Sequence, residues 1–263
     1  MTKIFRLFLL LFATYSCMAQ NQLYDLQNPT KRIELPKKLN EISGLSFLTN
    51  SEIASVQDEK GKIYILLPED GKIVKEIEFG KNGDYEGISH FKKHYFVLKS
   101  NGSIYKIDKY GYSKEYEFKH KKGFDFEGLC LDKINNRLLV ACKEHGNKDK
   151  RSHFYIYVFS LESKEYVEKA HFKIRRNAVH SKFKPSGIAI HPNGNIYVLS
   201  SFSKTLCVLS KTGAILESTQ LNESILNQPE GITFNSEGDL FIANEKKNTM
   251  PTLLKFNLNK TVR

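Results

Sequence analysis

The chain is expected to fold as an all-β, five-bladed β-propeller, with six blades as the alternative. Three observations carry that expectation: a glycine corner recurs five times, each corner opens a set of short strands, and one spare strand precedes the first set. The corners read EISGL at 41–45, DYEGI at 84–88, DFEGL at 125–129, KPSGI at 184–188 and QPEGI at 228–232. Their glycines, Gly44, Gly87, Gly128, Gly187 and Gly231, are spaced by 43, 41, 59 and 44 residues. Periods of about 40–50 residues holding several short strands are the signature of propeller blades.

After each glycine a short apolar strand leads to a turn, and a second strand is expected at 52–56, 94–98, 137–141, 195–199 and 239–243. Turn signals such as Asn193-Gly194 and Glu237-Gly238 separate the two. Third strands are expected at 62–66, 103–108, 154–160, 205–209 and 252–257, and a fourth completes most blades, as at 73–79. The last set stops after its third strand, while residues 31–35 form a strand with no set of their own. Pairing that strand into the last blade closes the ring and removes an exposed edge. The 59-residue interval is too short for a sixth blade, and its surplus is expected as loops at 146–152 and 177–183.

Residues 1–19 read as an export signal: a basic start, an uninterrupted apolar or aromatic run at 7–15, and small residues at the exit. The run is too short to span a membrane, which takes about 20 apolar residues. Cleavage before Gln20, or a lipid anchor on Cys17, would follow. Residues 20–263 then form one propeller domain, exported to the periplasm, the outer membrane or the medium, and expected to be monomeric. Cys130, Cys142 and Cys207 remain, an odd number that argues against a disulfide framework. Pairing around Asn135-Asn136 sets Cys130 opposite residue 139 or 140, so buried free thiols are expected.

The formal net charge is +11, but the basic residues are scattered through turns and form no nucleic-acid motif. They read as a solvated surface, with no nucleic-acid partner. There is no G-x-S-x-G, P-loop, H-E-x-x-H or cysteine pair at metal spacing.

The chemistry of interest lies at the corners. Glu86, Glu127 and Glu230 precede three of the glycines, and Ser43 and Ser186 precede the other two. Glu41, Asp84 and Asp125 stand two positions earlier, and Glu59, Glu144 and Glu245 lie where second strands end. Antiparallel first and second strands bring both sets to one mouth of the channel. Converging carboxylates repel unless they are compensated. Hard oxygen ligands suit calcium, with Glu59, Glu86, Glu127 and Glu230 as the expected metal set. Backbone latches between blades are the alternative for each glutamate. Glu41, Asp84, Asp125, Glu144, His145 and Glu245 form the expected ligand-binding set, which leans toward the blades that carry Glu86, Glu127 and Glu144.

The five corners, above all Asp125-Phe126-Glu127-Gly128 and Gln228-Pro229-Glu230-Gly231 followed by Asn244-Glu245, resemble the SdiA-regulated (YjiK-like) family of bacterial envelope β-propellers over about residues 31–257. Residues 187–213 are similar to an NHL repeat. At a greater distance the pattern is similar to the β-propeller phytases, which implies calcium in an acidic channel. Lys184 departs from the acidic pattern. The resemblance implies an envelope propeller that binds an unassigned small molecule or envelope component. A metal-dependent hydrolase, phosphoesterase-like or lactonase-like, is the alternative. Intact-mass analysis of the exported chain decides between an N-terminus at Gln20 and a diacylated Cys17.

Overall fold

In the computed structural model, which describes residues 23–49, 51–119 and 123–259, five four-stranded antiparallel sheets are arranged in a ring. The expected export signal at 1–19, with Cys17, lies outside the described residues. Blade one holds β2 (Ile42–Thr49), β3 (Glu52–Gln57), β4 (Lys62–Leu66) and β5 (Ile73–Glu78). Blade two holds β6 (Tyr85–Phe91), β7 (His94–Lys99), β8 (Ile104–Ile107) and β9 (Ser113–Tyr116). Blade three holds β10 (Asp125–Asp132), β11 (Arg137–Glu144), β12 (His153–Ser160) and β13 (Phe172–Arg175). Blade four holds β14 (Gly187–Ile190), β15 (Ile196–Ser200), β16 (Thr205–Leu209) and β17 (Ile215–Gln220). Blade five holds β18 (Pro229–Phe234), β19 (Leu240–Asn244) and β20 (Thr252–Phe256), and β1 (Lys31–Glu34) completes it from the other end of the chain.

β1 pairs antiparallel with β20, from Lys31 opposite Lys255 to Glu34 opposite Thr252. The spare strand thus closes the ring, and the sixth-blade alternative falls away. Just upstream, Tyr24 packs against Tyr197 and Phe234 and donates its hydroxyl to Gly238 O at 2.5 Å. The N-terminal segment is thereby fastened to blades four and five on the face away from the corners.

The five first strands form the axis. Each glycine receives the inner strand of a neighbouring blade. A Cβ on Gly44 would lie 2.8 Å from Gly87 Cα and 2.9 Å from Ile88 N, and one on Gly231 would lie 2.7 Å from Leu45 Cγ. Gly87 faces Leu129, Gly128 faces Ile188, and Gly187 faces Glu230 O and Ile232 in the same sense. The aliphatic residue after each glycine therefore leans on the glycine of the preceding blade. Leu45, Ile88, Leu129, Ile188 and Ile232 are all at most 5% exposed and plug the channel. Beyond the plug, the far end widens to a cavity of about 140 Å³ edged by Ser46, Ser89, His90 and Thr233.

Three findings extend the sequence reading. The thiols of Cys130, Cys142 and Cys207 are free and buried, with Cys130 opposite Leu139. Blade three's surplus is spread more widely than expected, because residues 161–171 also lengthen the link between β12 and β13. Finally, Arg176, expected on a solvated surface, is 7% exposed. Its Nε donates to Arg151 O at 2.8 Å, one terminal nitrogen to Lys143 O at 2.6 Å and the other to Phe183 O, which pins both inserted loops to the end of β11.

Gly44→Ala is expected to lower stability by about 1–3 kcal/mol, because its contacts are backbone atoms that cannot rotate away. Thermal melting should show a drop of roughly 3–10 °C for a chain of this size. An unchanged melting temperature would refute the close-approach account.

Candidate functional site

The residue before each glycine stands outside the strand ladder. Register shifts fall between Ile42 and Gly44, Tyr85 and Gly87, Phe126 and Gly128, and Pro229 and Gly231, leaving Ser43, Glu86, Glu127 and Glu230 as bulges. In blade four the ladder begins at Gly187, opposite Leu199, and Ser186 stands just before it with its N–H donating to Leu199 O at 2.8 Å. A bulge re-aims its side chain, here toward the channel. The two serines act as latches between blades. Ser43 Oγ donates to Tyr85 O at 2.5 Å, and Ser186 Oγ donates to Pro229 O at 3.0 Å. Glu86, Glu127 and Glu230 instead meet around a cavity of only about 10 Å³, enough for about one water.

The second polar set joins the same mouth, as the strand directions require. Asp58 N–H donates to Glu41 O at 3.1 Å, Ser100 N–H to Asp84 O at 2.9 Å, and Glu245 N–H to Gln228 O at 2.9 Å, while Asp125 lies opposite Glu144. Glu41, Asp84, Asp125, Glu144 and Glu245 are thus gathered around one opening. Glu59 is exposed, its N–H taken by Gln57 Oε1 at 2.6 Å, and stands at the rim. His145 is 7% exposed and packed between Phe124 and Tyr155, with ring centroids at 4.5 and 4.9 Å. Its Nδ1 accepts from Asn147 N–H at 3.0 Å, and burial holds its pKa below the usual imidazole value. That environment organises the loop at 146–152.

Charge compensation is uneven around the ring. On blade three, Lys143 is itself a bulge, since Asp125 pairs with Glu144 and Phe126 with Cys142. Its ammonium is ion-paired with Glu127 and lies 3.7 Å from Asp125 Oδ2. Lys184, the residue that breaks the acidic pattern, reaches Glu144 Oε1 at 2.6 Å, and Arg151 approaches Oε2 at 3.4 Å. Burial would raise the pKa of Glu144, but the hydrogen bond and charge of Lys184, with Arg176 and Arg151, bring it below the usual value.

Blades five, one and two have less of it, although the charges of Lys143 and Lys204 act on Glu230. Desolvation, then the hydrogen bond and charge of Asp84 and the charges of Glu230 and Asp125, push Glu86 up to about 9. Glu245 rises to about 8 through desolvation and the charges of Glu230, Glu41 and Asp58. Glu230 rises to about 7 through desolvation, against hydrogen bonds from Ser201 and Ser186. Asp58 rises to about 6 through desolvation and the charges of Glu41, Glu59 and Asp84. The carboxyls with raised pKa values therefore lie mostly toward blades five, one and two. Lys143, Lys184 and Arg151 supply the positive charge on the side of blade three. Among the described residues no three His, Cys, Asp or Glu side chains form a group able to hold a metal ion.

The ring and its mouth define a five-bladed propeller with an acidic, half-buried channel entrance. The sequence profile of the SdiA-regulated family matches residues 19–249, and the chain belongs to that family. No curated protein sequence matches it. Among solved structures it is similar to glutaminyl cyclase from Myxococcus xanthus, with a TM-score of 0.64 and 15% identity over 88% of this chain and 96% of that one. It is also similar to PQQ-bound aldose sugar dehydrogenase from Streptomyces coelicolor (TM-score 0.56, 12% identity, 88% and 98% covered). A third likeness is to a nidogen/laminin complex (TM-score 0.54, 14% identity, 82% and 76% covered). At such identities these likenesses establish the propeller fold alone.

The raised carboxyls give a signed pH dependence. Each is protonated more readily in the folded than in the unfolded chain, so the stability it contributes is lost as pH rises from about 4.5 to 9. Glu86→Gln removes the largest of these penalties and is expected to stabilise the protein at pH 8–9 by on the order of 1 kcal/mol, with little change at pH 5. Urea unfolding at both pH values tests this, and an equal effect at both would contradict it.

Proposed function

We propose that the protein is an exported, envelope-associated and monomeric binding module whose acidic channel mouth takes a cationic ligand on the side of blades five, one and two. The observation that supports this most directly is a pair of buried oxygens, Asn40 Oδ1 and Asp58 Oδ1, that no hydrogen-bond donor among the described residues satisfies. A buried acceptor left without a donor costs about 1–3 kcal/mol, which a ligand N–H would recover. Asp58 stands among the charges of Glu41, Glu59 and Asp84 that raise its pKa, and the backbone of Asn40 is hydrogen-bonded to Lys246, next to Glu245, whose pKa is raised as well. An ammonium group offers three donors and one positive charge, matching acceptors set among carboxyls. No helix among the described residues is long and apolar enough to cross a membrane.

Calcium is the competing occupant. It would have to draw carboxylates into a closer set than they form here and compete with Lys143 for Glu127. The hydrolase reading is favoured by one feature: Glu86 holds a proton at neutral pH while Glu127, on the same small cavity, is ion-paired. Two carboxyls with divergent environments can serve as acid and base.

Isothermal titration with 1,4-diaminobutane at pH 7.5 is expected to show saturable binding with proton release, read from the buffer dependence of the enthalpy. Glu230→Gln combined with Glu245→Gln should weaken it at least tenfold. Saturable binding of calcium without the diamine would replace the organic cation by the metal, and binding of neither would overturn the proposal. Turnover of phosphate esters or lactones, abolished by Glu86→Gln, would establish the hydrolase instead.

A further inference from the structure

Blade three carries a second charged site outside the channel. Its inserted loops fold beside the ends of β12 and β13 and leave an open cleft of about 300 Å³. Three guanidinium groups line it, those of Arg151, Arg175 and Arg176, together with the imidazole of His153, the hydroxyls of Ser152 and Ser181 and no carboxylate. His153 and Arg175 are direct cross-strand partners. Lys173, two residues along β13, adds its charge, and His153 is held below its usual pKa by partial burial and by Lys173, Arg175 and Arg176.

The cleft differs from a solvated lysine surface in its rigidity. Arg176 is bound through three carbonyls, so its charge is fixed in place before any ligand arrives. Glu144, the carboxylate that faces Arg176, is already shared by Lys184 and Arg151. Like charges confined side by side favour an anion that accepts from several of them at once. Guanidinium groups present planar, paired donors suited to an oxyanion.

We propose that this cleft is an oxyanion-binding site, recognising a phosphate, sulfate or carboxylate group through Arg151, His153 and Arg175 against the fixed charge of Arg176. The group could belong to a soluble ligand or to a lipid headgroup, which share this chemistry. Arg175 is exposed, so Arg175→Gln is expected to leave the anion-free melting temperature unchanged.

The test follows the imidazole NMR signals of His153 and the melting temperature during titration with sulfate and with inorganic phosphate, against chloride at equal ionic strength. Saturable shifts in the wild type, weakened at least fivefold by Arg175→Gln, are expected. No response beyond chloride, or an equal response in Arg175→Gln, would overturn the proposal. Co-sedimentation with phosphatidylglycerol vesicles, lost in Arg175→Gln and competed by sulfate, would assign a lipid headgroup, while binding of the free anions alone would assign a soluble ligand. The cleft meets the channel mouth through Glu144, beside Arg151 and Arg176, and not through Glu230 or Glu245, so the Glu230→Gln, Glu245→Gln variant should bind sulfate as the wild type does.

Discussion

The ring at the axis rests on one steric relation: the residue that follows each corner glycine lies over the glycine of the preceding blade. Five such contacts close on themselves, from Leu45 on Gly231 round to Ile232 on Gly187, four of them through an aliphatic side chain and the one on Gly44 through the backbone of Gly87 and Ile88. Each buries a Leu or Ile, worth about 1.5–3 kcal/mol, and each requires that no Cβ stand in the way. The same crowding displaces the residue before the glycine into a bulge, which is why side chains as polar as Glu86 and Glu230 project into the channel at all. Packing thus fixes where the carboxyls stand, and electrostatics must accommodate them.

That accommodation divides the ring into two halves. Blade three and its neighbour bring in Lys143, Lys184 and Arg151, so their carboxylates are paired. Blades five, one and two leave theirs to share protons, and buried amide and carboxyl oxygens on that side lack donors. The basic excess of blade three continues outward into the cleft held by Arg176. One protein therefore presents two regions of opposite sign, one at the mouth and one on blade three's inserted loops, both built on departures from strict five-fold repetition.

The repeat made the strands legible. The glycine corners, the turn residues and the spare strand at 31–35 fall where the blades, the hairpins and the closing strand are, because period and alternation follow directly from the chain. Cys130 could be set opposite Leu139 by counting around a turn. Lys143 and Arg176 were not legible in the same way. Lys143 acts through a bulge on β11, and one bulge changes the face on which a side chain emerges. Arg176 looks like half of a surface Arg-Arg pair until two loops close over it. Glu59 and His145 stood at the right sequence distance from the corners, yet one sits at the rim and the other in an aromatic pocket.

The sequence by itself determined the propeller, its number of blades, its closure and the ring of polar residues at one mouth, since each is a consequence of local pattern and of its repetition. Only the tertiary structure decided which carboxyls are neutralised and which remain in want of a proton or a cation. Neutralisation depends on ammonium and guanidinium groups that arrive from other strands and loops, and on how much water the packed blades exclude. Those distances are set by the closing of the ring, a property of all five blades together.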